Sequence, residues 1–447
     1  MYKVKDILSW INVPSDSDVV VNNIVENVDL VQKNDVFIAR SGNKSDGTIY
    51  IDKALKKGAC LVLSEKKVNN AICLKNFYLE LSMILYKFYK LNEMEVVGVT
   101  GTNGKSTTAY ILSSMCNKLG IKTFLITTTK GIENSIVTSL TTPGICDLAQ
   151  IIYNAYLKGY KRVVLECSSI GMSRHRLDIL NLKYLLINKI TSDHLDYHKT
   201  KKNYKETKIN FALEKAGSIY SLYNYRKIKN SEKGKIFSQK IKDYRSTLSS
   251  SSFIYDGIEF NINFPFKYNA YNILICYNAL KEEGYDKNLI VNNLKTVYPL
   301  NGRMERVGSE DIYVDYAHTY PALKALLKEV KRYKRNIICV IGAGGERDSS
   351  KRKEYGKVLA RYAREVILTD DNPRNEDEDR ILNMMKVKKS FVIIKDRSKA
   401  IKAGVILYKK IKDSVLLIIG KGAEDYQIIK GKTIYFSDKE EVKKCLD

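Results

Sequence analysis

The sequence predicts an α/β protein of more than one domain, and three observations carry that reading. Its 447 residues exceed one typical domain of roughly 100–200. Apolar residues make up 44% of the chain, enough to bury real cores rather than leave it disordered. Short apolar runs also alternate with helical patterns in two separate series. Runs of this kind between helices are the mark of buried parallel strands.

The first series is Glu95–Thr100, Thr123–Ile126, Arg162–Leu165 and Tyr184–Ile187. The second is Ile337–Ile341, Glu365–Leu368, Phe391–Ile394 and Val415–Ile419. Ahead of both, Val36–Ala39 and Cys60–Leu63 suggest a smaller unit over residues 1–90. The central unit is expected over 91–300 and the last over 301–447, with the turn Asn301-Gly302 between them. The Lys- and Ser-rich stretch 231–252 reads as a loop-rich excursion of the central unit.

Lys and Arg number 75 against 50 Asp and Glu, a net +25, which raises nucleic acid or an anionic membrane as partners. The lysines are dispersed, however, in a chain rich in Asn, Ile and Tyr, so no nucleic-acid partner is expected. None of the eight cysteines forms a Cys-x-x-Cys pair, which suits a reducing compartment. Met1–Trp10 has no long apolar core, and no uncharged apolar run of about 18 residues follows. A cytoplasmic protein without membrane insertion, acting as a monomer on small molecules, is expected.

The strongest motif is Gly101-Thr102-Asn103-Gly104-Lys105-Ser106-Thr107, between an apolar strand and an apolar helix. Glycines let backbone N–H groups turn inward around a phosphate, and the helix amino terminus adds partial positive charge. Lys105 can reach terminal phosphates and the Ser106 hydroxyl can bind magnesium. Val99 stands where the full Walker spacing wants glycine, so the match is to the shorter form. His175, His194, His198 and His318 are the only histidines and crowd into three polar stretches. Glu166 ends a strand, where open α/β sheets place ligand-facing groups, and with His194 it could share a divalent cation with nucleotide phosphates.

These motifs, with Thr141-Thr142-Pro143, Glu166-Cys-Ser-Ser169, His175-Arg176 and Asp193-His-Leu-Asp-Tyr-His198, resemble the Mur ligases. Gly302-Arg-Met-Glu305, Val314–Thr319, Gly344-Gly345 with Arg347-Asp348, Asp371-Asn-Pro-Arg374 and Gly420–Tyr426 resemble the branch that adds the third amino acid. The resemblance runs in order from about residue 30 to the end. It implies three domains: a UDP-substrate-binding domain, a central P-loop ATPase domain and a Rossmann-like carboxy-terminal domain. It also implies ATP-dependent amide formation on UDP-N-acetylmuramoyl-L-alanyl-D-glutamate, whose γ-carboxylate takes the ATP γ-phosphate before an amine attacks. Two polyanions must then be brought together, so cations have to neutralise both.

By this resemblance Lys105, Glu166, His194 and Lys208 are catalytic, and Ser106, Glu166, His194 and carbamylated Lys208 hold magnesium. Composition alone makes Lys208 a surface lysine. A carbamate, formed with CO2, would convert it to a carboxylate-like ligand. Asn269, Asn272, Arg303, Asp315 and His318 fall where family members contact nucleotide. Thr141, Thr142, Ser168, Arg174 and Arg176 fall where the muramoyl dipeptide is held. Asp371, Asn372, Pro373 and Arg374, with Arg352, Gly420 and Glu424, would hold the incoming amino acid. Arg374 could fork onto a side-chain carboxylate, which favours meso-diaminopimelate over lysine.

Departures are specific. Asn27-Val28-Asp29 stands in place of the uridine-site Asp-Ser-Arg. Ile170, Lys189, Phe266 and Ala423 replace a His, an Asn, a Gly and a His. None removes a phosphate, magnesium or lysine-carbamate group, so an active enzyme is expected. The alternatives are a lysine-adding Mur ligase, a folylpolyglutamate-type ligase and, from another class, a nucleic-acid-binding P-loop ATPase.

Overall fold

The computed structural model describes residues 1–41, 46–334, 336–347 and 349–446; Asp348 of the Arg347-Asp348 motif lies outside them. Three principal sheets follow one another along the chain. The first is four-stranded and parallel, in the order Ile24–Val25, Val36–Ala39, Leu61–Ser64, Ile72–Cys73. The second has seven parallel strands, in the order 234–236, 216–221, 182–187, 95–100, 162–166, 123–127, 135–137. The third has six, in the order 303–306, 312–315, 414–419, 336–341, 365–368, 392–393, with only the first antiparallel.

The apolar runs form strands because both faces of each are buried. In the central sheet Val96, Val163, Leu165, Leu185 and Ile187 point to one side, where the amino-terminal unit supplies Ile38, Leu63, Leu81 and Leu85. The alternating partners Val97, Val99, Val164 and Leu186 point to the other side. There they meet the helices Lys105–Lys118 and Lys267–Glu282, through Ile111, Leu112, Ile273 and Leu274. Each such side chain contributes about 1.5–3 kcal/mol on burial. The third sheet divides the same way, with Ile338, Val340, Leu416 and Ile418 against Ile337, Cys339, Leu417 and Ile419. In both sheets the central strands end in the same direction, so their carboxyl ends present loops to one cleft.

The excursion after residue 230 is more ordered than its composition suggests. Gly234–Ile236 joins the central sheet, and Lys242–Ser246, Ser251–Tyr255 and Ile258–Ile262 form an antiparallel sheet of their own. Its first strand is an edge with charged residues facing water, which removes the apolar alternation that would have announced it. The turn at Asn301-Gly302 is a close approach. Gly302 has φ +67°, and a Cβ there would lie 2.1 Å from the Ala423 backbone nitrogen. Only glycine lets the third unit's first strand pass that loop.

Candidate active site

The phosphate loop leaves the end of the strand Glu95–Thr100 and enters the helix Lys105–Lys118. Gly101 and Gly104 hold φ +147° and +86°, and a Cβ on Gly104 would sit 2.6 Å from Asn272 Oδ1. Asn269 and Asn272 are bonded to each other, Asn272 Nδ2 donating to Asn269 Oδ1 at 3.2 Å, so the pair buttresses the loop. Thr102 braces it from below, its hydroxyl accepting from Thr191 N at 2.8 Å and Tyr204 OH at 3.2 Å. Lys105 Nζ folds back onto the loop, donating to Thr102 O at 2.9 Å and Gly101 O at 3.3 Å. Burial lowers its pKa, an effect that Glu166 and Asp193 oppose. Thr107 is buried behind it.

Glu166 lies on the neighbouring strand and faces this loop. Ser106 Oγ donates to its Oε2 at 3.0 Å and Thr127 Oγ1 to its Oε1 at 3.4 Å. Burial raises the Glu166 pKa, while Lys105 and Ser106 hold it down. His194 begins a short turn of helix at φ +50° and lies 3.6 Å from Asp193 Oδ2. Asp193 is pulled down to about 2: burial would raise it, but His194 and Lys351 outweigh that.

Lys208 is not a surface lysine. It lies on the helix Lys201–Lys215, is 1% exposed and donates from Nζ to Thr100 Oγ1 at 3.1 Å. Burial, and then the charge of Lys105, push its pKa well below the ordinary lysine value. No carboxylate pairs with it among the described residues. An isolated ammonium buried there is costly, which is why burial favours the neutral amine.

Among the described residues no three His, Cys, Asp or Glu side chains gather as a protein-only metal cage. The donors present are the Ser106 hydroxyl and Glu166 at the phosphate loop, with the His194 imidazole across from them. Hard oxygen donors at such a loop fit magnesium, which keeps several waters and takes phosphate oxygens as ligands.

The third unit closes the other side. Thr319 Oγ1 donates to Asn103 Oδ1 at 3.4 Å. Arg303 lies over the Tyr316 ring at 4.4 Å. Asp315 is buried and accepts from Met304 N and Ala317 N, both at 2.8 Å. Its neighbour His318 keeps its ring accessible, with Nδ1 3.0 Å from Tyr316 O. Asp315 therefore fixes the turn that carries His318.

At the end of the strand Glu365–Leu368, Asn372 Nδ2 donates to Glu424 Oε2 and Asp371 Oδ1, both at 3.0 Å. Gly420, at φ +119°, leaves room for Asp371. Burial, and then Asp371, raise the Glu424 pKa. Arg374 sits at φ +57° after Pro373, and its Nη1 donates to Gly345 O at 2.6 Å. Arg352 departs from expectation. It is 2% exposed and bonds both oxygens of Glu376, at 2.5 and 2.7 Å, so its fork is filled from within the protein.

A second cleft, of about 480 Å³, separates the amino-terminal and central units and is lined by Arg40, Tyr78, Arg174, His175, Arg176 and Tyr197. Thr142 and Ser168 lie behind it, bonded hydroxyl to hydroxyl at 2.9 Å, with Thr142 fully buried. Thr142 O accepts from Arg176 Nη1 at 3.0 Å, so this pair sets where the guanidinium points. Thr141 is partly exposed beside them. Sequence reasoning missed Asn188, whose Nδ2 donates to Thr108 Oγ1 at 2.8 Å against both loop glycines. Its place at the end of the strand Leu182–Ile187 was the available signal.

Residues 99–280 match the family model of the Mur ligase middle domain, and residues 302–422 that of the Mur ligase glutamate ligase domain. A UDP-N-acetylmuramoyl-L-alanyl-D-glutamate–2,6-diaminopimelate ligase from Rickettsia montanensis is 33% identical over 95% of this chain and 96% of its own. The chain belongs to the Mur ligase family. It is an ATP-dependent acid–amino-acid ligase, as that membership entails. A similarly named Cytophaga hutchinsonii protein is 33% identical over 100% and 99% of the two chains. A solved diaminopimelate ligase of this name shares 25% identity at TM-score 0.67 over 100% of this chain and 99% of its own. The MurF ligase of Thermotoga maritima, 21% identical, shares the Mur ligase fold at TM-score 0.69 over 96% and 98%.

The phosphate-loop lysine, the strand-end glutamate and the buried Lys208 lie in one cleft of this chain. Ala423, where the resemblance expects histidine, packs its backbone against Gly302.

Proposed function

We propose that this enzyme adds meso-diaminopimelate to the D-glutamate γ-carboxylate of UDP-N-acetylmuramoyl-L-alanyl-D-glutamate, with ATP and magnesium, in the assembly of a peptidoglycan precursor. The relatives named above carry that activity in their names over nearly the whole chain. The observation that carries the reading is Lys208, buried beside the phosphate loop with Thr100 Oγ1 as its hydrogen-bond acceptor and no carboxylate partner among the described residues.

In this reading ATP lies along residues 101–107 with its terminal phosphates at Lys105, which releases the loop carbonyls to meet them. Ser106, Glu166, His194 and the carbamylated Lys208 hold magnesium, which supplies neutralising charge between the two anions. Asn269 and Asn272 keep the loop shaped, and Arg303, with the Asp315–His318 turn, covers the nucleotide from the third unit. Arg174, Arg176 and Thr141 hold the dipeptide, and Thr142 and Ser168 fix their direction. The γ-carboxylate attacks the γ-phosphorus, ADP leaves, and the amine attacks the acyl phosphate to release inorganic phosphate. Asn372, Arg374 and Glu424 orient that amine, while Asp371, Pro373 and Gly420 shape their loops.

The test is ADP release by the purified enzyme with UDP-muramoyl dipeptide and a panel of amino acids. Turnover with meso-diaminopimelate, and at least tenfold less with L-lysine, is the expected outcome. Release that needs DNA or RNA instead, and falls steeply with salt, would overturn the reading.

A further inference from the structure

The cleft between the first two units is strongly cationic for its size. Arg40, Arg174 and Arg176 share it, and among the described residues Glu26 is the carboxylate that forms an ion pair with one of them, Arg40. Both Arg40 bonds, Nε at 2.7 Å and Nη2 at 2.5 Å, converge on the one oxygen Glu26 Oε2. That leaves the Nη1 edge of the guanidinium without a protein partner among the described residues. Arg174 Nε is likewise buried and unpartnered. Burial, then Arg174 and Arg40, lower the Arg176 pKa, so the three guanidiniums repel one another. Such a cluster waits for an anion.

Glu26 is anchored independently of Arg40. Its other oxygen, Oε1, accepts from Cys146 N at 3.1 Å, at the start of the helix Ile145–Leu157. The carboxylate is therefore fixed by the central unit and aims an arginine of the amino-terminal unit. Across the cleft, Tyr78 stacks on His175 at 4.0 Å and 19°, which keeps the two walls in register. Arg40 directly follows the buried strand Val36–Ala39, so its backbone starts from that sheet. The expected uridine signature is absent from the same unit, at Asn27-Val28-Asp29.

We infer that Arg40 is a substrate ligand of this enzyme, taking the diphosphate of the nucleotide-sugar substrate while Arg176 takes the peptide end, and that Glu26 is its positioning residue. Arg176 bonds Thr142, whose hydroxyl donates to Glu166 O at 3.0 Å, so it lies toward the phosphate loop. Arg40 lies on the opposite wall. A substrate with a reacting carboxylate at one end and a diphosphate at the other spans the two. This inference rests on the proposed substrate.

Steady-state KM values for the UDP-muramoyl dipeptide, ATP and the amino acid would be measured for wild type, R40M, R40K and E26Q, with thermal midpoints. R40M should raise the KM of the nucleotide-sugar substrate on the order of tenfold or more, with kcat and the KM for ATP within threefold. R40K keeps a charge without the fork and should fall between R40M and wild type; it is the measure if R40M does not fold. E26Q loosens the guanidinium without removing it and should raise that KM by about threefold, less than R40M does, with the thermal midpoint unmoved. Equal KM rises in R40M and E26Q would mean that Arg40 serves only as Glu26's partner. UDP should inhibit wild type competitively and R40M about tenfold more weakly. If UDP inhibits both alike, Arg40 does not hold the diphosphate. Wild type inactive on the UDP substrate would overturn the proposed function itself; an active wild type with unaltered Arg40 variants would overturn this inference alone.

Discussion

Lys351 Nζ lies 2.9 Å from Asp193 Oδ1, joining the helix Ser350–Tyr362 of the third unit to the residue that precedes His194 in the central one. The pair is largely shielded from water, with side-chain exposures of 24% and 13%. It stands at the cleft with the Asn103–Thr319 contact, so the 101–107 loop region of the central unit and the third unit are tied on both sides. A more exposed tie, Lys130 to Asp425 at 2.6 Å, repeats the connection at the rim.

Breaking the shielded tie should cost activity through closure rather than folding. Lys351→Met is expected to lower kcat/KM for the amino acid several-fold while the thermal midpoint moves little. A double-mutant cycle with Asp193→Asn should give a coupling of about 1 kcal/mol in that parameter. Additive losses would mean that the contact plays no part in turnover.

Lys105→Ala should abolish ADP release and leave the fold intact. Among the described residues the side chain bonds only loop carbonyls, which water can satisfy in its place, while a bound triphosphate would lose its nearest cation. Circular dichroism checks the fold, and ligation at a tenth of the wild-type rate or more would contradict the prediction.

Lys208→Ala should lose most activity, and a small added carboxylate such as formate or acetate should restore part of it. Wild-type activity should also fall when CO2 is stripped from the buffer and return with bicarbonate. A variant as active as wild type would leave Lys208 as a buried lysine bonded to Thr100 and nothing more.

Much of this site lies along short stretches of sequence, and that part is legible. The phosphate loop needs residues within seven positions of one another between a strand and a helix, so Gly101 to Thr107 announce themselves. Glu166 follows from strand-end placement alone. Lys208 does not, because burial depends on Thr100 and Tyr204, contributed by separate elements, while composition pointed to the surface. Arg352 misleads for the same reason: its partner Glu376 lies 24 residues on, in a loop whose acidic run reads as solvated. Arg40 and Glu26 each follow the last residue of a strand of one sheet, and the bond from Cys146 N to Glu26 ties them to the central unit across the cleft. Positions whose role comes from tertiary contact leave no local pattern to read.

Asp370 gives a pH-dependent test. Its carboxyl is raised to about 7, by burial first and then by Glu378, with Lys395 opposing. An acid whose folded pKa lies above its unfolded value destabilises the fold once it must ionise. The cost is absent below about pH 4 and grows until the pH passes about 7. Asp370→Asn should therefore raise the thermal midpoint at pH 8 and change it little at pH 4.5. An equal effect at both pH values would show that Asp370 ionises freely.

The amino-acid specificity rests on Arg374 and is sharpened by what Arg352 does. Diaminopimelate carries a carboxylate at the far end of its side chain, which lysine lacks, and a guanidinium recognises it with two parallel hydrogen bonds. Arg352 is spent on Glu376, so of the two arginines expected there, Arg374 is the one with capacity left. Its Nη1 is committed to Gly345 O, and that bond, with the Arg374 N to Ile428 O bond at 2.9 Å, fixes the plane of the fork. The edge without a protein partner among the described residues then meets a ligand without reorganising. Asn372 spends both Nδ2 hydrogens on Glu424 and Asp371, at 3.0 Å each, and so fixes the Glu424 carboxylate as the acceptor for an ammonium on the same side. Leaving that guanidinium edge unpaired would cost on the order of 1–3 kcal/mol, or roughly tenfold or more against lysine. Arg374→Ala should raise the meso-diaminopimelate KM at least tenfold and leave the KM for ATP unchanged. Arg352→Met should act differently, lowering the thermal midpoint by releasing Glu376 from its pair. If Arg374→Ala instead leaves the ratio of diaminopimelate to lysine turnover unaltered, the carboxylate is read elsewhere and the assignment of this loop is wrong.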